Sequence, residues 1–295
     1  MNSRFFLILV YLIIACGASS FAQTVPGAVI FHIQSTHTAF PDTGRAKGHM
    51  YDKVLYSEAE HYHDSTVLII APKNLDANKT VDLIFWFHGW HNNVDSAASY
   101  YQLTRQFIVS HENAVLVLAE TARDAPDSYG GKLENPGTFK ALVGDVLNAL
   151  KTKHLVGNSC KSGHILLGGH SGAYRVMARI IQNGQMPVDE AMLFDALYAD
   201  TDKFMAWIKA DPTHRFIHLY TDHGGTDGES HQMVKLLAQD HILYAETEES
   251  NLTASQVQAN RLLFIHSLHE HNDIICKPDN FLLFLENSPF LRKVK

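Results

Sequence analysis

From Val81 to the C-terminal part of the chain, apolar runs alternate with amphipathic segments. An uninterrupted apolar run of strand length is typical of a strand buried on both faces. Strands that alternate with helices in this way predict a mostly parallel sheet with helices on both sides. The runs interpreted as strands are residues 81–87, 114–120, 164–169, 190–197, 215–221 and 261–267.

The helices of this pattern follow from apolar residues at helical spacing. They are predicted at residues 95–110, 139–150, 172–184, 202–210, 229–239 and 279–287. Two further apolar runs, residues 28–34 and 65–72, lie before this alternation and predict an antiparallel opening. Residues 241–250 are a further short strand whose place in the sheet the sequence leaves open.

The overall composition is that of a globular protein that can bury a large core. The chain has 295 residues, of which 46% are hydrophobic and 19% are charged. We therefore predict one domain over residues 23–295. The formal net charge of −7 lacks the basic character of nucleic-acid-binding proteins, so no nucleic-acid partner is expected.

The first 22 residues have the features of an export signal. Arg4 precedes an apolar run, residues 5–16, that is too short to span a bilayer, and the small residues Ser20 and Ala22 precede Gln23. We predict a signal peptide over residues 1–22 and a secreted or periplasmic protein.

Two alternatives remain for this N-terminal segment. The residues before Cys16 resemble a bacterial lipoprotein box, and lipidation there would give the chain its one predicted membrane link. An uncleaved anchor is the other possibility. Cys160 and Cys276 lie near opposite ends of neighbouring predicted strands, so we expect two free thiols.

Polar residues follow the predicted strands at the edge where parallel strands end, which is where such sheets bind ligands. His88, Gly89 and Trp90 follow one strand, and Ser171 lies at a glycine-rich corner after the central strand. The remaining candidates, in chain order, are Asp195, Asp222, Asp227, His266, His269 and His271.

Ser171 is the candidate nucleophile. A sharp turn between a strand and a helix exposes the serine hydroxyl, and small neighbours such as Gly172 and Ala173 allow the helix to pass close to the strand. The alternative is that Ser171 is only a helix cap, a position where serine is common. No lysine follows the glycines, so a phosphate-binding loop is disfavoured.

These residues together resemble the α/β-hydrolase superfamily, in particular its serine esterases and lipases. Residues 169–173 (Gly-His-Ser-Gly-Ala) are similar to the family's nucleophile turn, with Ala173 in place of the last glycine. The order serine, acid, histidine is the family's order, and residues 87–90 are similar to its oxyanion loop. The resemblance covers most of the chain from about residue 60 and implies an α/β-hydrolase fold without a cap domain.

The resemblance implies a base and an acid that act through Ser171. We favour His271 as the base because it lies shortly before the last helix; His269 is the alternative. We favour Asp195 as the acid because a carboxylate flush against an apolar run needs a partner. Asp222 or Asp227 is the alternative, since the family more often places its acid after the following strand.

The same resemblance assigns the remaining parts of the site. The backbone N–H groups of Gly172 and Trp90 are predicted to form the oxyanion hole. His88, Gly89, His170 and Tyr198 are predicted to contact substrate. Five aromatic residues either line the site or belong to the core: Trp90, Tyr129, Tyr174, Tyr198 and Trp207.

Two loops bear on the substrate. The connection from Asp195 to Arg215 leaves room for one helix, which predicts an open site able to admit bulky or polymeric acyl compounds. The loop from Arg123 to Lys132 either binds a polar substrate group or is an ordinary long loop.

The predicted function is therefore a secreted serine hydrolase that cleaves a carboxylic ester, or less readily an amide, of a small-molecule or polymeric acyl substrate. No cofactor and no metal is expected. One alternative is a metal-dependent hydrolase, because histidines at positions 61, 63, 88, 91, 269 and 271 are possible zinc ligands. The other is a hydrolase-fold protein that only binds.

Overall fold

A computed structural model of the chain describes residues 25–77 and 79–294. In these ranges one mixed sheet of nine strands, in the order β1-β4-β6-β5-β7-β8-β9-β11-β10, forms the centre, and β2 and β3 form a separate hairpin. The strands are β1 (Ala28–Gln34), β2 (His49–Tyr51), β3 (Val54–Tyr56), β4 (Thr66–Pro72), β5 (Thr80–Phe87), β6 (Ala114–Ala119), β7 (Lys161–His170), β8 (Glu190–Phe194), β9 (Arg215–Thr221), β10 (Ala245–Glu248) and β11 (Leu262–Ser267).

The strand directions confirm the predicted antiparallel opening and parallel centre. β4 is antiparallel to both β1 and β6, and every other neighbouring pair in the large sheet is parallel. The carboxyl ends of β5 to β9 and of β11 therefore lie along one edge of the sheet.

Helices cover both faces of the sheet, as predicted. Side chains of α4, α5, α6 and α7 pack on one face, and those of α2, α3, α8 and α9 pack on the other. The helices are α1 (Glu58–His61), α2 (Val94–Tyr100), α3 (Leu103–Val109), α4 (Thr138–Thr152), α5 (Tyr174–Asn183), α6 (Thr201–Ala210), α7 (Asp227–Gln239), α8 (Ala254–Ala259) and α9 (Asn280–Glu286).

Central strands are buried on both faces because successive side chains point to opposite sides. In β5, Phe85 and Phe87 belong to one apolar cluster, whereas Ile84 and Trp86 belong to the other. This division explains why the strand is an uninterrupted apolar run.

The predicted helix over residues 95–110 is two helices. Gln102 has a φ of 52°, in the left-handed region, so the chain turns between α2 and α3. The predicted short strand in residues 241–250 is β10, which lies at the edge of the sheet, parallel to β11.

Several sequence predictions concern connections and termini. Only α6 lies between β8 and β9. Cys160 and Cys276 are both free thiols, as predicted. The predicted signal peptide and Cys16 lie outside the described residues. Among residues 25–77 and 79–294, no helix has both the length and the apolar character needed to cross a membrane.

Candidate active site

Ser171 lies at the sharp corner between β7 and α5. Its φ is 56°, a left-handed conformation that a non-glycine residue adopts at some energetic cost. The following helix passes very close to the strand: a Cβ at Gly169 would lie 2.5 Å from Met177 Sδ and 2.7 Å from Ala173 Cβ. Glycine and alanine are therefore required here, and they leave the partly exposed serine at the corner.

Asp195 and His271 form a close pair at the same edge of the sheet. Nδ1 of His271 lies 2.7 Å from Oδ2 of Asp195, which follows β8 and is fully buried. The hydroxyl of Thr221 donates to the same carboxylate at 2.7 Å, and that of Thr226 donates to its other oxygen.

These hydrogen bonds determine the charge of the acid. Burial by itself raises the pKa of Asp195, but the hydrogen bonds from His271, Thr226 and Thr221 outweigh burial and hold this pKa below its usual value. Asp195 is therefore a carboxylate at neutral pH, and it orients the imidazole of His271.

The alternative acids and the alternative base have other partners. Asp222 lies 2.8 Å from Nε2 of His266. Asp227 begins α7 and lies 3.1 Å from His231. His269 lies 3.7 Å from Glu249. The structure thus brings Asp195 and His271 together, whereas Asp222, Asp227 and His269 each contact a different side chain.

His170, predicted to contact substrate, connects the serine corner to the histidine loop. The ring is 2% exposed and packs on the ring of His271 with a centroid distance of 4.3 Å. Its Nε2 donates to the backbone carbonyl of His271 at 2.9 Å, and the Tyr101 hydroxyl donates to its Nδ1 at 3.0 Å. His170 therefore positions the His271 backbone.

We expect His170 to make the folded state sensitive to acid. Burial, with a further effect of His271, lowers the pKa of His170 to about 3, whereas the unfolded chain binds this proton near pH 6.5. Stability is therefore lost as pH falls below 6.5. When the pH is lowered from 7 to 5, the free energy of unfolding should decrease in both proteins. The decrease should be about 2 kcal/mol smaller in the His170→Gln variant than in the wild type.

Denaturant titrations at several pH values measure this difference. The matched control is His241→Gln, which alters an exposed histidine and should follow the wild-type curve. Parallel curves for the wild type and His170→Gln would contradict a neutral, buried His170.

His88, predicted to contact substrate, supports the loop after β5 from inside. The residue is 4% exposed; Nε2 lies 2.6 Å from Glu120 and Nδ1 donates to the carbonyl of Gly89 at 2.8 Å. Burial lowers the pKa of His88, but the charge and hydrogen bond of Glu120 outweigh burial and raise it. The resulting ion pair fixes the loop that carries Gly89 and Trp90.

Gly89 and Trp90 lie directly against the serine corner. A Cβ at Gly89 would lie 2.6 Å from Ser171 Cβ, so only glycine permits this approach. A Cβ at Gly172 would lie 2.5 Å from Trp90 Cδ1, which shows that the indole covers the residue after Ser171. Gly172 lies in the first turn of the helical segment, where N–H groups lack helical partners and positive partial charge accumulates.

Tyr198 lies near Ser171, and its own hydroxyl donates to the carbonyl of Gly224. Burial, and then the charge of Asp195, raise the pKa of Tyr198 to about 12, so the phenol keeps its proton. The ring of Tyr174 lies next to that of Tyr198, with a centroid distance of 5.9 Å.

Two of the five aromatic residues that could line the site, Trp207 and Tyr129, make contacts elsewhere. Trp207 is 7% exposed, stacks on His214 at 4.5 Å and belongs to the core. The hydroxyl of Tyr129 donates to Asp42 at 2.8 Å, and this hydrogen bond holds the loop from Arg123 to Lys132 in place. In that loop Ser128 accepts a 2.8 Å hydrogen bond from the indole N–H of Trp90.

Sequence reasoning missed Ser128, Thr221, Thr226 and Tyr101. Thr221 ends β9, a position where the sequence drew attention only to the neighbouring Asp222. The others lie far along the chain from their partners and carry no local motif. Within residues 25–77 and 79–294, no three histidine, cysteine, aspartate or glutamate side chains form a group that could hold a metal ion.

Similarity to known proteins is found in structure and not in sequence. No protein-family model matches the chain, and no curated protein matches it. A feruloyl esterase module from Clostridium thermocellum aligns with a TM-score of 0.56 at 12% identity, covering 90% of this chain and 89% of that chain. The fold is the α/β-hydrolase fold.

Other solved α/β-hydrolase structures agree with this assignment. Fluorophosphonate-binding serine hydrolase F of Staphylococcus aureus aligns with a TM-score of 0.50 at 9% identity, covering 88% of this chain and 98% of that chain. Carboxyl esterase 2 of Tuber melanosporum aligns with a TM-score of 0.50 at 11% identity, covering 90% and 88%. At such low identities the likeness concerns the fold, so the chemistry must be argued from the site.

Proposed function

We propose that the protein is a serine hydrolase that cleaves carboxylic esters through an acyl-enzyme on Ser171. The observation that carries the proposal is the 2.7 Å contact between buried Asp195 and His271, in a loop packed on the residue before Ser171. A serine is a weak nucleophile without a base, and a histidine is a reliable base when a third group orients it.

The proposed reaction follows from these positions. The His271 imidazole removes the hydroxyl proton of Ser171, and Oγ bonds to the ester carbonyl carbon. The carbonyl electrons move to oxygen, where the N–H groups of Gly172 and Trp90 stabilise the negative charge. When the intermediate collapses, the bond to the alcohol oxygen breaks and His271 gives that oxygen its proton. Water then hydrolyses the acyl-enzyme by the same two steps.

Asp195 keeps its negative charge throughout this cycle. Because its carboxylate faces Nδ1 of His271, it favours the tautomer whose Nε2 is free to accept the serine proton, and it stabilises the imidazolium that forms. We infer the same roles for an amide substrate, which reacts more slowly.

The named neighbours support an ester as the substrate. The solved proteins include a feruloyl esterase module, a carboxyl esterase and a serine hydrolase that binds fluorophosphonates. The segment between β8 and β9 holds α6 alone, which supports a site open to bulky or polymeric acyl groups. Export to the periplasm or medium, through residues 1–22, is part of the same proposal.

Labelling with a fluorophosphonate probe tests the proposal. The phosphorus of the probe accepts the serine oxygen and loses fluoride, so a folded wild-type protein should be labelled on Ser171. Ser171→Ala should show no labelling, whereas Ser96→Ala, which alters an exposed serine on α2, should be labelled like the wild type. A folded wild type that stays unlabelled, or a Ser171→Ala variant that is labelled, would rule out the serine mechanism.

A further inference from the structure

The hairpin formed by β2 and β3 exposes apolar side chains beside the candidate active site. Met50, Tyr51, Val54 and Leu55 are each between 43% and 58% exposed, although they are close together in the chain. Isolated apolar residues are ordinary on protein surfaces, but a contiguous group of them beside a reactive serine points to a binding surface.

The two faces of the hairpin differ in what they contact. Tyr51 pairs with Val54, and Met50 pairs with Leu55, so these two pairs point to opposite faces. The ring of Tyr51 packs edge-to-face on Trp90 with a centroid distance of 5.2 Å. Tyr51 and Val54 therefore lie on the face turned toward Trp90, and Met50 with Leu55 lie on the other.

Trp90 connects this face to the serine corner. One edge of its indole covers Gly172, and its face toward the hairpin contacts Tyr51, yet the residue remains 41% exposed. We call Trp90, Tyr51 and Val54 the Trp90 strip. It is a continuous apolar surface that begins at the predicted oxyanion site and ends at the tip of the hairpin.

The strip is held in place before any substrate arrives. The turn at Asp52 and Lys53 has two positive φ angles, 44° and 65°, as in the tight hairpin turns that match strand twist. The segment before the hairpin is anchored by Arg45, whose guanidinium binds both carboxylate oxygens of Asp127 at 2.5 and 3.1 Å. Asp127 precedes Ser128, which holds the indole of Trp90.

We propose that the Trp90 strip binds an extended apolar arm, aliphatic or aromatic, of an ester substrate whose carbonyl lies at Ser171. This proposal rests on the proposed function and names the substrate class. A short acyl ester would reach Trp90 at most and leave Tyr51 and Val54 exposed to water. A substrate with a long arm buries them, and burial of apolar area is the favourable term in its binding.

The test compares short and long esters on matched hairpin variants. The acyl arm is varied with p-nitrophenyl acetate and octanoate, and the alcohol arm with ethyl and octyl acetate, all at monomeric concentrations. For each series we take the ratio of kcat/KM for the long ester to kcat/KM for the short ester. In Tyr51→Ser this ratio should fall about tenfold in the one series, acyl or alcohol, whose long chain binds to the Trp90 strip. Leu55→Ser, on the opposite face, should leave both ratios at the wild-type value.

The other outcomes each count against the proposal. Unchanged ratios in Tyr51→Ser overturn it. An equal fall of the ratio in Leu55→Ser also overturns it, because the whole hairpin tip would then bind to aggregated substrate. The control Leu55→Ser should keep the wild-type melting temperature and fluorophosphonate labelling, since Leu55 is 56% exposed. A wild type that neither labels nor hydrolyses any ester instead contradicts the proposed function itself.

Discussion

Replacement of His271 by alanine is expected to lower kcat for ester hydrolysis by about 10⁶-fold with little change in KM. Without the imidazole, the hydroxyl of Ser171 has no acceptor for its proton, and the leaving alcohol has no donor. In our proposal the substrate is bound by Trp90 and the hairpin, which are separate from the loop that carries His271. The measurement is steady-state hydrolysis of p-nitrophenyl acetate by a folded variant.

A matched control lies two residues away. His269→Ala alters the same loop, but His269 is half exposed and pairs with Glu249 at 3.7 Å. We expect kcat within about twofold of the wild type, because the Asp195–His271 pair remains intact. A large loss in His269→Ala together with a small loss in His271→Ala would show that the other histidine is the base.

The arrangement of the candidate site could be anticipated because topology and local pattern agree. Continuous apolar runs identify strands, and parallel strands bring their carboxyl ends to one edge. Ser171, Asp195 and His271 each follow a strand, so their approximate meeting place needs no knowledge of side-chain packing. One physical argument favours Asp195 over Asp222: a carboxylate beside buried strand residues needs partners. In the structure Asp195 has three such partners, His271, Thr221 and Thr226.

The positions of buried polar side chains are harder to predict from sequence than the positions of strands. His88 and His170 flank the loop and the corner of the site, so the sequence predicts that both contact substrate. The structure buries both side chains, His88 against Glu120 and His170 against Tyr101. Nothing in a sequence tells which face of a strand end is occupied by a distant side chain, and both partners lie many residues away.

The hairpin of β2 and β3 could not be predicted from the sequence pattern. Its strands have three residues each, too short for an alternation of apolar and polar side chains to be visible, and its apolar residues are exposed. The split between α2 and α3 had a similar origin, because Gln102 adopts a left-handed conformation without being glycine or asparagine. In both cases tertiary contacts, and not local propensity, decide the conformation.

Asp195→Asn is expected to lower kcat by about 10⁴-fold while the protein stays folded. The amide has nearly the same shape as the carboxylate, but its nitrogen is a donor. Thr226 donates to one oxygen of Asp195, whereas His271 and Thr221 share the other. An amide oxygen that faces the Thr226 hydroxyl therefore turns the amide nitrogen toward Nδ1 of His271. Nδ1 must then accept, which moves the imidazole proton to Nε2 and removes the acceptor that Ser171 needs.

Asp222→Asn provides the comparison that decides between the two acids. Asp222 is half exposed and contacts His266 at 2.8 Å, so we expect this variant to keep kcat within about threefold. Loss of activity in Asp222→Asn with retained activity in Asp195→Asn would mean that the loop after β9 supplies the acid. Fluorophosphonate labelling rates of both variants give the same comparison without a leaving alcohol, because the probe loses fluoride and its reaction still requires the base to activate Ser171.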